Sequence, residues 1–264
     1  MRYDRRAVHP HTVQTTPTTI EIKHRDTGAV LFTRTEIGNT LAFTLRIAII
    51  LKRDVRHADL TGADLSNGFF AGGDFSYCDF TEATLNGADF SHTQLDRATF
   101  DHTEGTGTNF TGIVIADIDF KRCDFTDAKF SGSTLTDIKF IRCSLKAANF
   151  DEATLNNVNL WWTYAARAQF ANAVLDHLHG QYVDFSDVDF LTAKINNAFI
   201  WIGKFTGAKA NPEAGFRTQK GGDTPRYKIP CVCDGPCQNC VGCEVPKKYE
   251  TFGELASPGK TRAY

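Results

Sequence analysis

The chain lacks an excess of charge of either sign: 29 lysines and arginines stand against 31 aspartates and glutamates, formally −2 over 264 residues. That balance removes any general electrostatic case for a nucleic-acid or membrane partner. It also lacks a long apolar run. The stretch Leu41–Leu51 falls well short of the roughly 20 residues that a membrane-spanning helix needs. No signal sequence opens the chain, because Met1–Thr19 is charged, contains prolines and has no apolar core, which points to the cytoplasm. Catalytic signatures are missing as well. There is no nucleophile–base arrangement, no HExxH, and the Gly105-Thr106-Gly107 stretch lies outside any strand-to-helix phosphate loop. Closely spaced aspartates carry no glycosidase signal, since their spacing follows a repeat. The chain reads as a non-enzymatic protein.

What it has is a period of five. From Leu60 to Phe205 every fifth residue is Leu, Phe or Ile, with Gly105, Ala165 and Gly180 as the exceptions, so 27 of 30 positions hold the phase. Neither a helix nor an alternating strand gives that spacing. Two residues before most of these sits a small one: Ala58, Ala63, Gly68, Gly73, Cys78, Ala83, Ala88. A second period of twenty sorts the large residues. Phe70, Phe90, Phe110, Phe130, Phe150, Phe170 and Phe190 form one series, and Leu95, Ile115, Leu135, Leu155, Leu175 and Ile195 follow Phe75 in the next. A period of five alone would not separate Phe from Leu, so four sides per coil follow from the residues.

Segments such as HADLTGADL, GGDFSYCDF and NGADF resemble the pentapeptide-repeat family, with its consensus A(D/N)(L/F)XX. The resemblance implies an all-β fold, a right-handed quadrilateral β-helix, over about 150 residues or about 7.5 coils. At about 4.8 Å per coil such a prism is on the order of 36 Å long. Four segments are expected: an arm at 1–19, a hairpin-plus-helix cap at 20–55, the β-helix at 56–210 and a Cys-rich tail at 211–264. Residues 20–33 read as two strands around Asp26-Thr27-Gly28, and 36–55 as a helix with Ile37, Leu41, Leu45, Ala48 and Ile49 on one face. The leader IEIKHRDTGAVLF also resembles segments that precede the repeats in phage and bacterial members.

Charge is unevenly distributed. Residues 1–55 carry 9 basic and 5 acidic side chains, 56–210 carry 12 and 20, and 211–264 carry 8 and 6. The acidic prism matters because the family includes mimics of duplex DNA that occupy DNA gyrase, which makes gyrase or another DNA-binding enzyme an alternative partner. Asp117, Asp127, Asp137 and Asp187 are the candidate mimic carboxylates. Against this, ten of the twenty acids sit just before the core residue, where the consensus itself places Asp, and no long insertion interrupts the repeats. Direct nucleic-acid binding is not expected.

One set of outward positions is unlike the rest. At intervals of twenty run Lys121, Ile141, Trp161, Gln181 and Trp201, beside Arg122, Arg142, Trp162, Tyr182 and Ile202, with His179 and Phe199 nearby. Contiguous exposed aromatics mark contacts, and Trp and Tyr carry much of the energy at interfaces. Ile141, Trp161, Trp162, Tyr182, Phe199, Trp201 and Ile202 are therefore the candidate interface. Its occupant is a host protein or a second copy (a homodimer), or else the chain's own tail; a virion or scaffold role is a further alternative. Ala165 and Gly180, next to this set, should change the local coil shape.

Cys78, Cys123 and Cys143 fall at inward small positions and read as buried thiols. Cys231, Cys233, Cys237, Cys240 and Cys243 are crowded into the tail, in spacings that suit a tetrahedral structural zinc. Disulfides, free thiols and an iron–sulfur cluster stay open as alternatives. His177 and His179 lack a third ligand and read as surface residues.

Overall fold

The computed structural model describes residues 16–210 and the strand Phe216–Thr218. An antiparallel hairpin comes first, β1 (Pro17–Lys23) and β2 (Val30–Ile37), closed by Gly28 at φ 69°. Helix α1 (Leu41–Ile50) follows, its first turn capped by Thr40, whose Oγ1 accepts from the Phe43 amide at 3.1 Å. The helix is shorter than its apolar pattern suggests. Ile37 belongs to β2 and is exposed, because Asn39 breaks away after the strand to accept from Thr44 Oγ1 at 2.9 Å and donate to Arg34 O at 2.9 Å. Thr44, Leu45 and Ala48 of α1 are buried and, with Ile22, cover the first coil.

The rest is a four-walled solenoid. Residues twenty apart pair in parallel from Asp59↔Asp79 to Asp189↔Lys209. Most core residues' amides bond to the next coil, as in Leu60 N to Asp79 O at 2.9 Å and Phe130 N to Asn149 O at 2.7 Å. The first wall takes its core residues from Leu60, Phe80, Phe100, Phe120, Phe140, Leu160, Gly180 and Ile200; the second, third and fourth follow at five-residue steps. Every Phe of the third wall from Phe70 to Phe190 is buried, with rings stacked coil on coil at 4.9 to 5.8 Å. From Val114 onward the fourth wall is a parallel sheet of five short strands. The first wall is a sheet of six, closed by Phe216–Thr218 against Ala198–Ile200.

Local chemistry explains the consensus. Chain reversal at each corner places a residue at positive φ, for example Asp127 (57°), Trp162 (51°) and Gly62 (63°). The Asp or Asn before the core residue accepts the amide two residues on, as Asp64 does from Ser66 (3.0 Å) and Asp124 from Thr126 (3.0 Å). These are Asx turns. Inward Thr, Ser and Cys at the small position donate to the carbonyl 23 residues earlier: Thr108 to Leu85 O at 2.9 Å, Cys143 Sγ to Phe120 O at 3.2 Å. Gly105 and Gly180 do not distort the coil. A Cβ at Gly105 would meet Phe125 at 2.6 Å and one at Gly180 would meet Ile200 Cδ1 at 2.5 Å, so the next coil's side chain fills each gap. Pairing runs straight through Gly180, opposite Leu160 and Ile200, and the expected change of coil shape is not seen.

The ladder does open once. Among the described residues no pair or backbone hydrogen bond joins Gln94 to Val114 or Thr99 to Asp119, and the amides of Leu95, Arg97 and Phe100 reach no carbonyl of the following coil. Here Ala98 gives way to Ile118 at the small position, and Thr93 to Ile113, both isoleucines buried. Ile118 lies between the two flanks, which from here run as strands Val114–Ala116 and Asp119–Lys121, and Ile138, Val158 and Leu178 follow it in the same column. The core stays closed, with Phe100 and Phe120 at 5.1 Å. Hydrogen exchange should therefore show the amides of Leu95, Arg97 and Phe100 exchanging faster than those of Phe80, Phe90 and Phe110; equal protection would contradict an open ladder.

The cap is tied down by Arg25, which pairs with Asp79 at 3.2 Å and donates to Tyr77 O at 3.1 Å. Burial alone would raise the Asp79 carboxyl, but Thr81, Thr99 and Arg25 together hold it below its ordinary value. The folded state thus favours the carboxylate, and this contribution is full at neutral pH and lost as pH falls through the lowered value. Asp79→Asn is expected to cost roughly 1–2 kcal/mol at pH 7 and to be nearly silent in strong acid. Denaturant titrations of both proteins at the two pH values check this.

Candidate protein-binding face

The first wall from Asp119 onward carries the aromatic residues, and the sheet register stacks them. Lys121 pairs with Ile141, Ile141 with Trp161, and Trp161 with Gln181, while His179 pairs with Phe199. Alternation along each three-residue strand sends the central residue inward and its neighbours out. At the corner between the first and second walls Arg122, Arg142, Trp162 and Tyr182 all hold φ between 51° and 57° and lie one above another. Trp162 and Tyr182 stack at 5.6 Å and 15°, the Arg142 guanidinium sits 5.8 Å from the Trp162 ring centre, and Arg122 Nη1 lies 3.0 Å from His102 Nε2. Trp162 and Trp201 are 41% and 47% exposed; Ile141, Trp161, Tyr182, Phe199 and Ile202 are half-buried. All seven candidate interface residues therefore share one wall and its corner.

The acidic candidates do not share a surface. Asp117 and Asp137 stand on the corner between the fourth and first walls, Asp127 and Asp187 on the diagonally opposite one. Each column is interrupted, by Asn157 and His177 in one and by Ala147 and Arg167 in the other. Asp137 accepts from Asn157 Nδ2 at 2.5 Å. Asp117, Asp119 and Asp137 also line a hollow of about 410 Å³ at the open ladder, together with Arg97, Lys121 and Lys139, so its charges balance. Lys139 pairs with Asp119 at 2.9 Å.

Cys78, Cys123 and Cys143 are buried free thiols, as the spacing implies. Burial pushes Cys78 up to about 12 and Cys123 well above its ordinary value, which makes both poor nucleophiles. The tail cysteines Cys231, Cys233, Cys237, Cys240 and Cys243 lie outside the described residues. His177 stands 3.1 Å from Asp176. Among the described residues, His24, Asp26 and His57 form the one grouping of three potential metal ligands, their nearest atoms within 4.8 Å. The two imidazoles are parallel at 4.9 Å, and His57 is parallel to Tyr77 at 4.5 Å. Parallel rings direct their lone pairs side by side rather than at one point, so this ring stack seats the hairpin on the first coils. The period of twenty places His57 over Tyr77, but nothing in the sequence located His24.

Residues 54–130 match the model of a pentapeptide repeat region, and 123–161 and 143–177 match that of pentapeptide repeats. Comparison with curated proteins finds no match. Among solved structures the chain is similar to a trypsin-treated form of QnrB1, a plasmid-mediated fluoroquinolone resistance protein. Identity there is 16% over 58% of this chain and 79% of that one, with a TM-score of 0.40. It is also similar to HetL, a pentapeptide repeat protein involved in heterocyst differentiation regulation from the cyanobacterium Nostoc (18%, 68% and 98%, TM-score 0.22). A third is a pentapeptide repeat protein of the Arabidopsis thaliana thylakoid lumen (26%, 45% and 69%, TM-score 0.22).

The exposures set a spectroscopic expectation. Iodide should quench Trp162 and Trp201 more strongly than Trp161, resolved with single-tryptophan variants in which the other two are replaced by Phe. Equal shielding of all three would mean that the wall is covered.

Proposed function

Residues 54–177 of this chain are pentapeptide repeats, and from that premise we propose that it is a non-enzymatic binding module whose aromatic wall docks on another protein. Such repeats generally serve as structural or binding modules. The observation that carries the reading is the pairing of Ile141 with Trp161 beside the Trp162–Tyr182 stack, with Trp162 and Trp201, two of the chain's three tryptophans, exposed. A rigid prism keeps these rings in place before contact, which lowers the ordering cost of binding.

Mimicry of duplex DNA toward gyrase or another DNA-binding enzyme is the weaker reading. Half of the prism's acids occupy the position before the core residue, and eight of those ten are Asp that accept the amide two residues on and close Asx turns. The four freer ones divide between opposite corners. No helix among the described residues is long and apolar enough to cross a membrane.

The test is affinity capture with the full chain and two sets of variants. Trp161→Ala with Trp201→Ala should lower retention of the captured partner by tenfold or more, while Asp117, Asp127, Asp137 and Asp187 changed together to Lys should leave it within about twofold. The reverse pattern, with displacement by duplex DNA, would overturn the reading in favour of mimicry.

A further inference from the structure

The aromatic wall differs from the rest of the prism in charge as well as in shape. Residues 56–210 as a whole carry 12 basic and 20 acidic side chains. From Asp119 to Ile202 the first wall and its corner with the second carry Lys121, Arg122, Lys139 and Arg142 against Asp119 alone. Asp119 is already engaged, by Lys139 at 2.9 Å and Lys121 at 3.8 Å. Arg122 and Arg142 are exposed, and no carboxylate among the described residues lies within 4.0 Å of either. Stacked aromatic rings present their positive edges outward, which adds to the same sign. Lys121 and Lys139 are balanced by the carboxylates of the hollow, so the uncompensated charge of this apolar face is that of Arg122 and Arg142, on a rod that is otherwise acidic.

Its two properties are separated along the axis. The cations occupy the coils around 121 and 141, and the large apolar groups those around 161, 181 and 201. We propose that this face takes an acidic segment of another protein, with carboxylates seated at Arg122 and Arg142 and an apolar end seated at Trp162, Tyr182 and Trp201. This rests on the binding reading above and adds the chemistry of the partner. Four coil steps of about 4.8 Å span roughly 19 Å, the length of about six extended residues or about 13 helical ones. Arg142 already lies against Trp162, and Arg122 against His102, so both cations are held in place before a carboxylate arrives.

Two other occupants fit less well. A nucleic acid would meet long-range repulsion from the net acidic prism. It would also find ring edges where base stacking requires ring faces, since Trp162 and Tyr182 cover one another at 5.6 Å. A second copy set parallel, about a two-fold along the prism axis, would bring Arg122 and Arg142 near their own counterparts.

The experiment is selection of random twelve-residue peptides on the immobilised full chain, followed by titration of the winners. All three tryptophans lie on this face, so their emission reports binding directly. Selected peptides should combine Asp or Glu with large apolar residues, and should bind more weakly as salt rises. Arg122→Glu with Arg142→Glu should weaken them tenfold or more. The milder Arg122→Gln with Arg142→Gln should fall between, with circular dichroism unchanged. Neutral or basic winners, affinity indifferent to the charge changes, no selectable peptide, or tighter binding of a dT oligonucleotide would each overturn the proposal. Loss on Trp201→Ala without loss on charge reversal sinks the acidic partner and leaves the aromatic face. Acidic peptides that ignore Trp201→Ala sink the aromatic-face reading itself.

Discussion

The parallel ladder between residues twenty apart carries the molecule, because each coil satisfies its backbone only by reaching the next one. An isolated coil would leave its amides and carbonyls without partners, and its large inward residue would find nothing to pack on. Stacking answers both needs in one step: Phe130 N meets Asn149 O at 2.7 Å while the Phe130 and Phe150 rings lie 5.0 Å apart. The same condition governs what the sequence tolerates. Proline, which has no N–H, is absent from residue 18 to residue 211. Corners need positive φ, and the chain accepts non-glycine residues there at about 1 kcal/mol each. Asx turns on the preceding Asp or Asn help to offset that cost.

How much of this was legible depends on whether a feature repeats. The walls, the inward thiols and the grouping of Trp161, Trp162, Tyr182 and Trp201 all follow from periods of five and twenty, and the structure places them as read. Features that occur once were not legible. Helix α1 begins at Leu41 rather than before Ile37, because the Asn39–Thr44 hydrogen bond sets the boundary and an apolar pattern does not contain it. The ring stack of His24 on His57 and Tyr77 joins the cap to the repeat across a sequence gap no period spans. Gly180 misled for a related reason: it reads as a hole only when its own coil is considered, and Ile200 from the next coil fills it.

Ile118 shows how a solenoid changes type without losing its axis. A bulky residue at the small position swells one corner, and its flanks straighten into strands. The coil before it, built around Ala98, keeps the tighter turn, so the two cannot share hydrogen bonds on that corner. The core residues sit farther in and hardly register the change, with Phe100 over Phe120. Later coils repeat the bulky choice with Ile138, Val158 and Leu178 and stay in register with one another. The mismatch is therefore confined to a single step of the ladder, and the sheet that carries the aromatic face begins there.

That coincidence bears on the binding face. Outward side chains on a flat run of strands form columns with fixed spacing, whereas turn-like sides place only one residue per coil in a bridge. Switching the first wall to strands at Asp119 is what lines up Lys121, Ile141, Trp161 and Gln181. A bulky inward residue thus shapes an outward surface, through the backbone between them. The acidity of the rod has a local origin of the same kind, since much of it comes from aspartates that close turns. Sign and flatness then combine on one wall, where the acids thin out, two arginines have no carboxylate partner among the described residues and the aromatic rings come into line.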